Sequence, residues 1–263
     1  VTDDKSNSSE MPFLDHLEEL RWRIVKSLVA LMVAFGITFW LCTSSGVDVL
    51  NIVIEPVKPY LHGKALIYTH PIDPFTLMIQ VAGGLGIVLA SPVIVFQIWA
   101  FLSPALTPRE RRVIIPVLIG AALLFLAGVA MSVFIFVPVT MGLIQGIKTS
   151  ALEPMLSASD YFGFLFSVSL AFGAMFELPI LILLLTALGI ITPKFLTKYR
   201  RHAIVATLVI CEIITPGDLI ISTLMLWVPV YGLYELSIVV SWFVYRSRLK
   251  RQREADLVGA ESP

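Results

Sequence analysis

Six acidic positions carry most of the chemistry this chain can offer, and their surroundings divide them. Glu19 stands in the run Leu14 to Arg23, and Glu110 stands in Thr107-Pro-Arg-Glu-Arg-Arg112. An acid among basic residues at a membrane surface pairs locally, and Glu19 lies four residues before Arg23, a spacing that gives an ion pair of ~0.3 to 0.5 kcal/mol. The same residues also suit a carboxylate pair that grips the guanidinium groups of a bound peptide through bidentate hydrogen bonds, a geometry Lys cannot reproduce. Residue type leaves both readings open. Glu177 differs in kind, because it sits mid-run in Phe172-Gly-Ala-Met-Phe-Glu-Leu-Pro179, where a charged group costs at least ~2.5 to 3.5 kcal/mol. It faces protein, water or a partner, or it is held neutral or bonded to a neighbouring helix. Pro179 removes the amide that would bond the Met175 carbonyl, which leaves a polar backbone spot beside the acid. Glu235 invites the same argument nearer the cytoplasmic end. Glu212, close to the outer turn, reads as a structural acid that snorkels, and Asp218, after Pro216-Gly217, reads as a turn residue or the cap of the final helix.

The elements that position these acids follow from charge and hydropathy. At 57% hydrophobic residues and a mean hydropathy of +0.87, the 263-residue chain is far more apolar than a soluble domain. The polar gaps between apolar runs alternate between basic and nearly uncharged, starting basic: Arg21, Arg23 and Lys26, then Arg109, Arg111 and Arg112, then Lys194, Lys198, Arg200 and Arg201, then Arg246 to Arg253. Basic loops stay in the cytoplasm. The pattern predicts an all-α integral membrane protein with six transmembrane helices and both termini in the cytoplasm, at the inner membrane. A polar stretch precedes the first apolar run, so the first span is expected to be a permanent anchor rather than a cleaved signal. Cys42 and Cys211 lie in or beside apolar runs and read as packing residues. The four histidines lack ligand spacing and no phosphate-binding glycine loop is present, so neither metal nor cofactor is expected. The spans also lack a Ser/His, paired Asp or H-E-x-x-H constellation, which argues against an enzyme.

Along the chain, residues 1–10 predict a disordered cytoplasmic tail, 11–248 a six-span membrane domain and 249–263 a second cytoplasmic tail. From Pro12, apolar residues at helical spacing predict an amphipathic helix in the interface that runs into the first span at about 24–42. Four prolines in 43–74 predict a stiff, partly structured outer cap. Spans two to four are expected at 75–102, 113–141 and 160–189. Only about 13 residues separate Arg201 from the Thr215-Pro-Gly-Asp218 turn, and the next run carries Pro229 and Glu235, so the last two helices are expected to be short for a ~30 Å core. Pro92, Pro138 and Pro229 are expected to bend their helices. Gly142-x-x-x-Gly146 offers a close helix approach. No internal repeat is evident.

At these residues the sequence resembles the TatC family, the multispanning receptor of the Sec-independent twin-arginine protein translocase. Phe13-Leu-Asp-His-Leu-Glu-Glu-Leu-Arg-Trp-Arg23, Ser91-Pro to Leu106 followed by Glu110-Arg-Arg112, Phe172-Gly-x-x-Phe-Glu-Leu-Pro179 and Thr215-Pro-Gly-Asp218 carry the resemblance over roughly 12–248. It implies that Glu19 and Glu110 bind the paired arginines of a signal peptide on a folded substrate, with Arg21 and Phe101 shaping the site. It implies receptor roles for Pro56 and Phe75 at the outer loop, and makes Asp218 the acid of the last outer turn. Glu177 becomes the intramembrane polar contact for single-span TatA- and TatB-type partners. The family's glove-like concave bundle, self-association in a receptor complex and drive by the proton-motive force are implied in the same way, without nucleic acid or cofactor. Glu212 departs from the family pattern, where a small or apolar residue is expected. A competing class is a proton-coupled secondary transporter using the intramembrane carboxylates Glu177 and Glu235; it needs those midplane groups for solute flux, whereas a receptor needs Glu19 and Glu110 at the surface.

Overall fold

Long apolar runs in lipid have to close their backbone hydrogen bonds internally, and the computed structural model is helical wherever the runs lie. It describes residues 11–44, 48–61, 65–102, 114–146, 155–214 and 220–260. The helices are α1 (Met11–Ser44), α2 (Val49–Ile54), α3 (Asp73–Leu102), α4 (Ile114–Met131), α5 (Val137–Gly146), α6 (Ala158–Phe176), α7 (Leu178–Ala187), α8 (Pro193–Lys198), α9 (Arg200–Ile214) and α10 (Ile220–Ala260). Among the described residues, five helical stretches are long and apolar enough to cross a membrane: 17–44, 73–101, 115–143, 158–187 and 220–246. The predicted spans two to four fall within about two residues of these at each end, and Pro12 occupies the first turn of α1 as expected.

α1 and α3 form an antiparallel hairpin. Thr38 on α1 is buried and donates to the Ala82 carbonyl on α3 at 2.7 Å, in addition to its own-helix carbonyl of Ala34. Such a hydroxyl bond between spanning helices contributes about 0.6 kcal/mol. α4 and α6 approach more closely still. A Cβ on Gly128 would lie 2.7 Å from the Phe172 carbonyl oxygen, so only glycine allows this contact. One turn further along, Ser169 donates to Ser132 at 3.1 Å, both buried. Around this seam Phe136, Phe162 and Phe172 are fully buried, with the Phe136 and Phe172 rings 5.1 Å apart. α7 lies against α10 through a buried Thr186–Ser241 hydroxyl pair at 2.8 Å. α8 and α9 lie against the same helix, as Tyr234 donates to the Leu196 carbonyl and Trp227 to the Thr207 hydroxyl.

The prolines act unequally. Ahead of Pro138 the helix passes through a π-turn, Ser132–Phe136, in which Val137 N–H bonds the Ser132 carbonyl five residues back. Pro138 cannot donate to the Phe134 carbonyl and its ring crowds that group, and widening the turn relieves both problems. Pro92 and Pro229 instead lie inside uninterrupted helices. The fourth span is not one helix: it breaks at Glu177, which ends α6 and precedes α7, with Pro179 in the first turn of α7.

The outer segment is structured, in line with its prolines. α2 leads into a 3-10 helix, Glu55–Leu61, which buries Val57 and Leu61 in the main core. Tyr60 from this element packs on Gly142, where a Cβ would meet its ring at 2.9 Å; the close approach at Gly142 therefore admits the outer cap. Ile67 and Ser157 form a parallel bridge through Ile67 N–H to the Leu156 carbonyl and Ala158 N–H to the Ile67 carbonyl. Asp73 then accepts from the Thr69 and His70 amides and the Thr69 hydroxyl, which braces the entry to α3.

One expectation is corrected. α9 is short at 15 residues, about 22 Å of rise, but the last helix is not, since α10 runs for 41 residues. Glu235 does not shorten it because a neighbouring arginine and tyrosine satisfy the carboxylate, and its basic end, Arg246 to Arg253, is good helix-forming sequence that continues beyond the apolar stretch.

Candidate functional site

The α1–α3 register fixes where the surface acid lies. Thr38 meets Ala82, and antiparallel helices of equal rise keep partners in step. Nineteen residues back from Thr38 is Glu19, and nineteen forward from Ala82 is Phe101. Both end about 28 Å from the Thr38–Ala82 contact, roughly the thickness of a hydrocarbon core. Glu19 and Phe101 therefore share one end of the hairpin, with each side chain half-buried, while Arg21 and Lys26 nearby are exposed.

Glu19 is already engaged with a guanidinium. Arg23 donates to Glu19 Oε1 through Nη2, and through Nε at 3.1 Å. The i, i+4 spacing read from the sequence produces this pair, and the carboxylate stays about one-third exposed. Such a pair contributes only ~0.3–0.5 kcal/mol, so the pair itself adds little to the stability of the helix. Glu110 lies outside the described residues, as does Asp218.

The intramembrane acids separate clearly. Glu177 is half-buried in the α6–α7 break, and its Oε1 is enclosed without a hydrogen-bond partner among the described residues. Its backbone carbonyl accepts from Ile180 and Leu181 N–H, starting the next helix. A buried carboxyl oxygen left without a donor is costly. Glu235 has its partners within the chain, because Arg200 Nη2 donates to Oε2 at 2.6 Å and the Tyr231 hydroxyl to Oε1 at 2.7 Å. Sequence spacing holds no hint of the arginine, which comes from 35 residues away. Glu212 on α9 accepts from the Thr223 hydroxyl of α10 at 2.9 Å, near the outer turn. Pro56 lies half-buried in the 3-10 helix, and Phe75 stands exposed on the first turn of α3. Among the described residues no three His, Cys, Asp or Glu side chains gather as a metal site would need.

A helical hairpin ending in a surface acid, with an enclosed acid inside a broken span, defines a multispanning membrane protein. The chain belongs to the TatC family, the Sec-independent protein translocase proteins, whose sequence profile matches residues 15–229. It is 34% identical to TatC of Aquifex aeolicus over 245 residues, covering 92% of this chain and 100% of that one. Against Bacillus subtilis TatCy it is 36% identical, with 92% and 93% covered, and against Escherichia coli K12 TatC 31%, with 95% of each covered. A crystal structure described as the twin arginine translocase receptor TatC superposes with a TM-score of 0.75 at 33% identity, over 87% of this chain and 99% of that one. The chain is accordingly a membrane protein of the twin-arginine protein translocation system.

Proposed function

We propose that this chain is the receptor and assembly core of a twin-arginine translocase, with six spans around a concave face and both termini in the cytoplasm. The observation that carries the reading is the hairpin register, which brings Glu19 level with Phe101 at one membrane boundary, nine residues before Glu110 in sequence. Glu19 and Glu110 hold the two arginines of a signal peptide, and Arg21 and Phe101 shape the cradle. Glu19 binds Arg23 in the resting state, so it presents a carboxylate already oriented for a guanidinium, and the incoming arginine replaces an internal one. Planar bidentate geometry then distinguishes Arg from Lys. Pro56, Phe75 and Asp218 serve the outer side, with Pro56 carried on the core-anchored 3-10 helix. The proton-motive force drives translocation of the folded substrate.

The test compares two purified peptides that differ only in their paired residues. An Arg-Arg signal peptide is expected to bind the chain in nanodiscs at least about tenfold more tightly than its Lys-Lys version. Equal affinities for the two peptides would remove the guanidinium cradle.

Glu177 recruits TatA- or TatB-type single-span subunits. It lies ten residues from the inner end of its span, about 15 Å deep, and its enclosed Oε1 lacks a donor. A polar group on a partner helix satisfies it, which favours partner contact over lipid. Glu177→Ala is expected to weaken crosslinks to a partner helix while leaving signal-peptide crosslinks near wild type, and the opposite ranking would count against this role. The transporter reading is weaker, since Glu235, the other intramembrane carboxylate it would need, is held by Arg200 and Tyr231.

A further inference from the structure

The corner where α8 meets α9 carries more positive charge than the fold neutralises. Lys194, Lys198, Arg200 and Arg201 are all exposed there, and the ion pair that the described residues place at this corner is Arg200 with Glu235. Tyr231 occupies the other oxygen of that acid. Lys198 reaches only the Tyr199 ring, at 5.9 Å, and neither it nor Arg201 has a carboxylate in ion-pair range among the described residues.

This corner lies within the apolar length of the protein. Arg246, stacked 3.9 Å from the Trp242 ring, closes the apolar stretch of α10. It follows Glu235 by eleven residues, about 16 Å of helix. Val239 and Trp242 continue the Glu235 face toward it at helical spacing, and both are exposed. Measured along α10, the cations at the foot of α9 therefore sit about 16 Å before the end of its apolar stretch, and an unsolvated charge beside apolar helix is unfavourable. Above them the outward side of α9 is apolar: Val205, Val209 and Ile213 recur every four residues from Arg201 and are exposed.

Two cations at the foot of a column of apolar side chains match an amphiphile with an anionic head and a hydrocarbon tail. We infer that the α8–α9 corner binds an anionic phospholipid of the inner leaflet, with its phosphate between Lys198 and Arg201 and an acyl chain along Val205, Val209 and Ile213. The leaflet assignment rests on the orientation proposed above; the site itself is independent of the Glu19 cradle. A soluble phosphate would satisfy the cations yet leave the apolar column uncovered, and a neutral lipid would do the reverse. With α9 only 15 residues long, the headgroup is drawn toward the midplane and the cations stay solvated by phosphate oxygens.

The test uses the full chain in phosphatidylcholine nanodiscs doped with a phosphatidylglycerol analogue that carries a photoactivatable acyl chain, followed by peptide mapping. Label is expected between residues 205 and 213, and the double variant K198Q/R201Q is expected to reduce it about tenfold. K26Q, an exposed cation on α1, is expected to leave it unchanged. The inference is overturned if a phosphatidylcholine analogue labels the same peptide equally, if the double variant keeps its label, or if K26Q lowers it as much. Absence of label on α9 would overturn it too. Inorganic phosphate competing as well as the lipid does would reduce the site to a simple anion contact and likewise overturn the inference.

Discussion

Glu19→Ala, and separately Glu110→Ala, are expected to abolish crosslinking of a twin-arginine signal peptide to the chain in membranes, while the protein remains folded and inserted. A hydrogen bond to a charged group contributes about 1.5–3 kcal/mol, so loss of one carboxylate from a two-acid cradle lowers occupancy by roughly ten- to hundredfold. The fold tolerates the change because the resident Glu19–Arg23 pair lies within one helix and is partly exposed, where such pairs contribute ~0.3–0.5 kcal/mol. Glu19→Gln keeps the shape and removes the charge, and is expected to resemble Glu19→Ala. Site-specific crosslinking with the signal peptide as probe reads all three. Signal-peptide crosslinks of undiminished strength in both alanine variants would eliminate these acids from recognition, and a variant lost from the membrane fraction would show that the position is structural.

Gly128→Val is expected to produce a large loss of stability, because the clash is with backbone. The new Cβ would sit 2.7 Å from the Phe172 carbonyl oxygen and 2.9 Å from the Phe176 ring. A carbonyl that already closes its own helix cannot swing away as a side-chain tip can, so α4 and α6 have to separate. Overpacking typically costs about 1–3 kcal/mol, and more where backbone blocks relief. Separation would also stretch the Ser169–Ser132 bond one turn away. The thermal unfolding midpoint in detergent should fall by several degrees. Gly163→Ala supplies the control, because a Cβ there meets nothing within 4 Å and alanine is favoured in a helix by about 1 kcal/mol. If both variants melt together with wild type, the seam is not as tight as these distances require.

The parts of this architecture set by local composition are legible in the sequence, and those set by meetings across the chain are not. Spans two to four emerge from apolar length, because a bilayer imposes about twenty residues on any helix that crosses it. The stiff outer segment follows from its prolines and takes the form of a 3-10 helix. The Glu19–Arg23 pair is readable because four residues are about one helical turn. Glu235 is the misleading case: an acid amid apolar residues reads as an interruption, and only Arg200, the first residue of α9 and distant in sequence, makes it compatible with a helix of 41 residues. The π-turn before Pro138 answers to local crowding that spacing does not encode. For Glu177 the isolated charge and the missing Pro179 amide are visible in the residue order, whereas the helix break and the enclosed oxygen depend on how α6 and α7 settle against their neighbours.

The short bridge at Ile67 constrains more than its two amide bonds suggest. Ile67 is fastened to the entry of α6, and six residues later Asp73 locks the turn from which α3 departs. Only five residues separate those anchors, so one residue added or removed there is expected to pass into α3 as a rotation of about 100°. That turn would carry the Ala82 carbonyl away from Thr38 and swing Phe101 off its azimuth at the far membrane boundary. The length of a small exterior connection thus sets the aim of a helix whose working end lies on the opposite side of the bilayer.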